Sequence, residues 1–146
     1  ALFTTFLREL SEKYRPLGLM LSVAVGVGAS TIENGYEIDK VTQYVEYINL
    51  MTYDLHGSWE DIVGHHTALL PRNGEDVEQA KLNVKWAINK WVESGAQREK
   101  ILLGLASYGR SLTLTSTSQT TIGSPTKGAG DEGKVIKVFY IISLQL

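Results

Sequence analysis

YINLMTYDLHGSWE, residues 47–60, contains a predicted strand and the loop after it, and this stretch decides the fold of the 146-residue chain. Its first half alternates in polarity, so that Asn49, Met51 and Tyr53 are predicted to share one face of the strand. Its second half places a carboxylate, an imidazole and an indole directly after that strand. This arrangement is typical of parallel α/β sheets, in which ligands bind at the carboxyl ends of the strands.

Two further segments predict strands, one before and one after this stretch in the chain. Residues 19–25 (LMLSVAV) and residues 101–106 (ILLGLA) are almost continuously apolar. Runs of this kind fit strands that are buried on both faces, as in a parallel sheet. We therefore expect three strands in one sheet.

Two segments have apolar residues at helical spacing, which predicts amphipathic helices with one buried stripe each. The first covers residues 2–14 and ends before Pro16 and Gly18. Its predicted stripe consists of Phe3, Phe6, Leu7, Leu10 and Tyr14. The second helix is ended by Gly95, and its stripe consists of Val84, Ala87, Ile88 and Trp91. A shorter helix is expected near residues 38–45.

The start of the second long helix has two alternatives in the sequence. Asp76 with Gln79 resembles a capping box, whereas Asn83 would cap a shorter helix. The preceding residues 54–76 are predicted to form a long polar loop. A long loop inside a compact domain is more often functional than idle.

The predicted order of elements is helix, strand, helix, strand, loop, helix, strand. Such alternation indicates right-handed βαβ units and a parallel sheet, so the predicted fold class is α/β. Three strands are too few for a closed eight-stranded barrel, which takes about 250 residues. The sheet is therefore either a small open one or a slice of a larger barrel.

Composition and charge exclude several classes of function. The chain is 43% hydrophobic and 21% charged, as a globular domain is, and its formal charge is −2. No basic cluster indicates a nucleic-acid or membrane partner, and no apolar run approaches the roughly 20 residues that span a bilayer. The absence of cysteine excludes disulfides and thiolate chemistry in this chain. Because Ala1 is neither an initiator methionine nor part of a signal-peptide pattern, we expect this end to be a cut.

Side chains with binding or catalytic chemistry follow two of the predicted strands. They are Met51, Tyr53, Asp54 and Trp59 after the second strand, and Tyr108 and Arg110 after the third. Phenol, carboxylate, guanidinium and indole together suit a polyhydroxylated ligand. Aromatic faces stack on the C–H surfaces of sugars, while polar tips bond hydroxyl and amide groups.

Structural explanations stay open beside the functional ones. Met51 is explained as well by packing inside a barrel, and Tyr53 with Asp54 by an ordinary strand end and turn. Arg110 would equally pair with a nearby acid at the surface. Trp59 has no comparable explanation, since it lies in a loop of glycine, serine and histidine.

The adjacent histidines His65 and His66 are a feature that suggests a metal. Adjacent residues of an extended loop point apart, however, and no third ligand has a suitable spacing. We therefore expect neither a metal site nor a cofactor.

Three stretches resemble the chitinases of glycoside hydrolase family 18. Residues 47–60 resemble the sixth strand and following loop of that family, with Met-x-Tyr-Asp followed by His-Gly-Ser-Trp. LGLMLSVAV at residues 17–25 resembles the fifth strand, and ILLGLASYGRSLTL at residues 101–114 resembles the seventh strand and the start of an inserted subdomain. The resemblance covers roughly residues 1–130, in the family's order and spacing.

This resemblance implies a fold and a division of the chain. The chain would be part of a (β/α)8 TIM barrel, approximately strands five to seven, plus the start of an inserted α+β subdomain. Residues 1–110 would belong to the barrel and residues 111–133 to the subdomain. Residues 134–146, KVIKVFYIISLQL, do not continue the family pattern. We expect this tail to be translated intron sequence, and the alternative is a genuine hydrophobic strand of the subdomain.

The resemblance also implies a function. The parent would be a secreted, monomeric enzyme that hydrolyses β-1,4 links between the N-acetylglucosamine units of chitin, without a cofactor. Family 18 uses the substrate's own acetamido oxygen as nucleophile. Tyr53 and Asp54 would be catalytic, the first at that acetamide and the second at the reacting sugar. The substrate-binding residues that the resemblance implies are Met51, Trp59, Tyr108 and Arg110.

One motif of the family is missing. DxxDxDxE, which carries the general acid at the end of the fourth strand, does not occur in the 146 residues, and by position it would precede Ala1. We therefore expect the chain by itself to be inactive. A first alternative is a chitinase-like lectin or growth-factor-like protein that keeps the cleft but lacks the acid. A second is an unrelated small α/β binding domain.

Overall fold

The computed structural model describes residues 2–131, which form helices, a parallel sheet and an antiparallel pair of strands. The elements are, in chain order, α1 (Leu2–Tyr14), β1 (Ser22–Val25), α2 (Ala29–Gly35), α3 (Ile38–Tyr44), β2 (Tyr47–Leu50), α4 (Val84–Glu93), β3 (Ile101–Leu103), β4 (Leu112–Leu114) and β5 (Thr126–Ala129). The segment of residues 134–146, which we expect to be translated intron sequence, lies outside the described residues. No helix within residues 2–131 has the length and apolar character that crossing a membrane requires.

The three predicted strands form one parallel sheet in the order β1-β2-β3, which confirms the α/β prediction. Val25 of β1 is paired with Leu50 of β2, and Leu50 is paired with Leu103 of β3. All three strands therefore end at the same edge of the sheet. That edge carries the residues that the sequence singled out.

One face of this sheet packs against helices, and alternation in β2 sets which residues lie there. Ile48 and Leu50 are completely buried, while Asn49 is half-buried on the opposite face. The predicted division of β2 into two faces is confirmed. The buried face is the centre of the hydrophobic core, which also includes Val41 of α3 and Trp91 of α4.

The prediction that residues 19–25 form a strand buried on both faces is wrong. The strand is limited to Ser22–Val25, and its residues Ser22 and Ala24 are exposed. Leu19 and Met20, before the strand, are 51% and 71% exposed. The physical reason is position: β1 is an edge strand, and no part of residues 2–131 covers its second face.

Helix α1 has the predicted bounds, but its buried stripe is rotated. Thr4, Leu7 and Ser11 are buried, whereas Phe6 is 57% exposed. Residues three and four apart share a helix face, so a stripe centred on Leu7 points Phe6 away from the core. The assignment of Phe6 to the buried stripe is therefore wrong.

Both caps proposed for α4 exist, at different elements. Asn83 Oδ1 accepts a hydrogen bond from the Trp86 amide at 2.9 Å and starts α4. Asp76 Oδ1 accepts from the amides of Glu78 and Gln79, both at 2.9 Å, and precedes a short 3₁₀ turn. The two alternatives in the sequence are thus both used, one before the 3₁₀ turn and one at the start of α4.

Two parts of the structure were not predicted. No helix was predicted at residues 29–35, where α2 forms, and no individual strand was predicted at β4 and β5, which pair as antiparallel strands. An isolated bridge between Ile62 and Pro125 joins this pair to the long loop after β2. The loop is therefore anchored far from its own ends.

Candidate functional site

The chain beyond β2 is held in line with the sheet before it turns. Met51 donates its amide to Val25 at 3.0 Å, and the Thr52 hydroxyl donates to the Gly104 carbonyl at 2.6 Å. These bonds fix the chain to both neighbouring strands. Asp54 then adopts a left-handed conformation with φ of 57°, the only non-glycine residue among residues 2–131 with a positive φ. Asp is one of the few residue types that tolerate this region.

The position of Tyr53 depends on a glycine in the chain after β3. A Cβ at residue 104 would lie 2.4 Å from the Leu50 carbonyl oxygen and 3.0 Å from Cε1 of Tyr53. Gly104 therefore allows the backbone after β3 to lie directly against the phenol ring. Tyr53 also packs edge-on to Tyr108, with ring centroids 6.2 Å apart.

The Asp54 carboxylate is the centre of the site. Its Oδ1 accepts from the Tyr108 hydroxyl at 2.6 Å and from Arg110 Nε at 2.7 Å, and Arg110 Nη2 forms an ion pair with the same oxygen at 2.7 Å. The structure thus brings together three of the predicted site residues, from two strand ends. The structural explanation for Arg110, pairing with an acid, also applies, and the acid is the predicted site carboxylate.

The charges in this cluster reinforce one another. The hydrogen bond from Arg110 is the main cause that holds the pKa of Asp54 below its ordinary 3.8, so the group is a carboxylate near neutral pH. Burial, and then the hydrogen bond to Asp54, raise the pKa of Tyr108 to about 12. The bond to Asp54 also raises the pKa of Arg110. Tyr108 therefore stays protonated and remains a hydrogen-bond donor.

Trp59 lies beside this cluster with much of its surface free. It is 59% exposed, and the guanidinium carbon of Arg110 lies 5.0 Å from the centroid of its ring. That distance fits a cation–π contact. A Cβ at Gly57 would lie 2.3 Å from Cζ3 of Trp59, so the indole rests directly on the glycine backbone.

His66 was considered in the sequence only as half of a metal pair, but it connects the two strand ends. Its Nδ1 accepts from the Asp54 amide at 3.3 Å, and its Nε2 lies 3.0 Å from the Tyr108 carbonyl oxygen. The ring also packs against Tyr108 at 4.9 Å between centroids. No group of three or more metal-binding side chains occurs within residues 2–131.

His56, whose imidazole follows the second predicted strand, is 5% exposed. Its Nδ1 lies 2.9 Å from Oε2 of Glu60, and that oxygen also accepts the Gly57 amide at 3.2 Å. Spacing of four residues was a signal for the pair. Without the structure, nothing distinguished it from the polar loop around it.

Two open pockets surround the cluster. The first, about 320 Å³, lies at the carboxyl ends of β1 and β2 and includes Met51, Tyr53 and Asp54 in its wall. The second, about 430 Å³, includes Arg110 and Gly57 and lies towards β4. Four of the predicted site residues therefore line these pockets, and the Asp54–Arg110 pair connects the wall of one to the wall of the other.

The sequence model of the glycosyl hydrolases family 18 matches residues 1–138 of the chain. The chain belongs to this family. The matched region includes both strand ends of the site and ends inside the segment 134–146 that the sequence alone set apart. Family 18 chitinases have a TIM-barrel fold.

Among relatives of this family 18 chain is probable chitinase 10 of Drosophila melanogaster, 39% identical over 132 residues. The match covers 90% of the chain but 6% of that relative. Ostrinia furnacalis Group IV chitinase in complex with allosamidin superposes with a TM-score of 0.86 at 37% identity, over 91% of the chain and 36% of that structure. Human YKL-39, a pseudo-chitinase with retained chitooligosaccharide binding properties, superposes with a TM-score of 0.87 at 32% identity. This match covers 93% of the chain and 40% of that structure. The chain thus spans less than half the length of each relative.

Proposed function

We propose that the protein to which this chain belongs binds chitooligosaccharides and hydrolyses the β-1,4 links between their N-acetylglucosamine units. The observation that carries this proposal is the cluster of Asp54, Tyr108 and Arg110 beside the exposed Trp59. It combines an ionised carboxylate, phenols and an indole at the carboxyl ends of parallel strands. Aromatic faces with polar groups at their edges suit sugars that carry an acetamide.

The proposed mechanism is substrate-assisted and retaining. The acetamide oxygen attacks the anomeric carbon, and the glycosidic bond breaks as its oxygen takes a proton from a general acid that these 146 residues do not supply. Water later opens the cyclic intermediate. Tyr53 donates its hydroxyl to the acetamide oxygen and holds it beneath the anomeric carbon. Asp54 contacts the reacting sugar through Oδ2, since Oδ1 already accepts two hydrogen bonds and forms an ion pair with Arg110 Nη2. Met51 lines the pocket that receives the acetamide.

The proposed subsites extend on both sides of the cleavage point. Trp59 stacks under a sugar on the leaving side, and Tyr108 with Arg110 contacts sugars near the scissile bond. The parent protein is proposed to be secreted and monomeric. The chain supplies approximately strands five to seven of a barrel in residues 1–110 and the start of the α+β subdomain in residues 111–133.

A binding protein without hydrolytic activity is the second candidate. The 146 residues contain no DxxDxDxE motif, so the leaving oxygen has no general acid within this chain. The likeness to YKL-39 favours this candidate, because that relative binds chitooligosaccharides as a pseudo-chitinase. Hydrolysis by the full-length protein separates the two candidates.

The test measures binding and hydrolysis of chitooligosaccharides by the full-length protein. Trp59→Ala should weaken binding by about 1–3 kcal/mol, as loss of other aromatic stacking contacts does. Val77→Ala, which changes a loop residue that is 75% exposed, is the matched control and should bind normally. Binding without hydrolysis would favour the second candidate. Absence of binding by the wild type would reject the proposed function.

A further inference from the structure

The turn that carries Trp59 is closed twice by a single residue, Glu60. The Glu60 amide donates to the Gly57 carbonyl at 3.2 Å, and Glu60 Oε2 accepts from the Gly57 amide, also at 3.2 Å. The backbone and the side chain of Glu60 therefore hydrogen-bond both the carbonyl and the amide of Gly57. Since the Trp59 indole rests on the backbone of Gly57, these two hydrogen bonds fix the surface that supports the ring.

The Glu60 carboxylate has a second partner in His56. Its side chain is 22% exposed, and its Oε2 lies 2.9 Å from His56 Nδ1. A carboxylate removed from most of its water needs such donors. The Gly64 backbone lies directly against the imidazole and limits its movement on that side, because a Cβ at Gly64 would lie 2.3 Å from its Cγ.

The turn is also fastened to a distant part of the chain. The Thr126 hydroxyl donates to the Glu60 carbonyl at 3.0 Å, and the Thr126 amide donates to the Asp61 carbonyl at 2.8 Å. Thr126 is the first residue of β5. The bonds of Glu60 and Asp61 to β5 therefore also help to fix the turn that carries Trp59.

We propose that Glu60 is a positioning residue that holds the Trp59 indole in place for stacking on a sugar. This role rests on the proposed function, since the sugar is the ligand that the indole would meet. Glu60 itself makes no contact with the substrate in this proposal. Its carboxylate acts through Gly57 and His56.

The variants are Glu60→Ala, which removes the carboxylate but keeps the backbone bonds, and Glu60→Gln, whose amide oxygen still accepts from Gly57. Glu93→Ala, at the exposed end of α4, is the matched control. Each is made in the full-length protein, with and without Trp59→Ala. The readouts are the Kd for a long chitooligosaccharide, the kcat on a short one, and fluorine NMR of fluorotryptophan-labelled protein, with the Trp59 resonance assigned by its loss in Trp59→Phe.

Glu60→Ala should weaken binding of the long ligand by about tenfold while kcat on the short one is kept, since one stacking contact is worth that much. Its Trp59 resonance should show increased mobility, and Glu60→Gln should restore both values. In the Trp59→Ala background, Glu60→Ala should have no further effect. An additive effect in that background, or an unchanged Trp59 resonance, would overturn the proposal. The NMR result stands even if the wild type binds no sugar, so the two proposals fail separately.

Discussion

The ring of Tyr53 lies between Gly104 and Tyr108 at the wall of the first pocket, where the proposed mechanism places its hydroxyl at the acetamide of the substrate. We predict that Tyr53→Phe lowers kcat by about 10²-fold with a smaller change in KM, as deletion of a donor that tightens in the transition state does. Steady-state kinetics of an active full-length protein measures this. Tyr47→Phe, at the opposite end of β2, is the control. A raised KM with unchanged kcat would show that Tyr53 only binds.

Asp54 makes the stability of the site depend on pH. Its folded-state pKa lies below 3.8, so its interactions stabilise the fold above that pH and are lost as the pH falls through the lower folded value. We predict that Asp54→Asn lowers the Tm at neutral pH and that this difference shrinks below pH 3.8. Because the side chain is 38% exposed, the effect should be modest.

A variant of Arg110, the main cause of the lowered pKa of Asp54, provides a control for this prediction. In an Arg110→Gln background, Asp54→Asn should change the Tm by less, because the largest cause of the lowered pKa is gone. Thermal denaturation across the acidic range measures both pairs. A Tm difference that does not vary with pH would contradict the assignment.

The sequence predicted which residues would gather at the site better than it predicted what holds them. Alternation in β2 gave the face of Met51 and Tyr53, and an indole in a polar loop marked Trp59. The contacts of His66 with Tyr108 and of Glu60 with Thr126 were missed, because each joins residues far apart in the chain. No local period records a contact of that kind.

At the scale of elements, the two caps near α4 differ in what they hold. Asn83 is 1% exposed, and its side chain both accepts from Trp86 and donates to the Ala80 carbonyl at 2.8 Å. We predict that Asn83→Ala lowers the free energy of unfolding by about 1–2 kcal/mol, at the upper end for a cap. Asp76→Ala, at an exposed 3₁₀ turn, should cost less. Urea denaturation of both variants checks the order, and equal losses would contradict it.

The elements that the sequence predicted are those with a long period or a long apolar run. Helix α1 and the three strands of the parallel sheet belong to this group. Helix α2 covers only Ala29–Gly35 and lacks a side-chain cap, so neither periodicity nor a capping residue predicted it. The extent of β1 was overestimated, because apolar runs report burial in a complete protein and residues 2–131 leave one face of β1 open.

At the scale of the whole molecule, residues 2–131 leave strand edges and apolar side chains uncovered. Among these residues, β1 and β3 are the edge strands of the parallel sheet, and the exposed large apolar side chains include Leu2, Phe6, Leu17, Leu19 and Met20. Unpaired edges beside apolar patches promote association. We predict that the isolated chain is poorly soluble and does not hydrolyse chitooligosaccharides. Light scattering, calorimetry and a hydrolysis assay test this, and a cooperative unfolding transition of a monomer would contradict the first part.

The lengths of chain between the paired strands also predict an order in which the sheet assembles. β1 and β2 are joined by two short helices that form locally, whereas Ile48 of β2 must find Ile101 of β3 across the long irregular loop and α4. Closing the longer loop costs more chain entropy and slows pairing. The hydrogen bonds from Tyr108 and Arg110 to Asp54 bridge this same late contact. We therefore predict that the site forms late in folding, and that a kinetic failure would leave the first βαβ unit intact while abolishing the site.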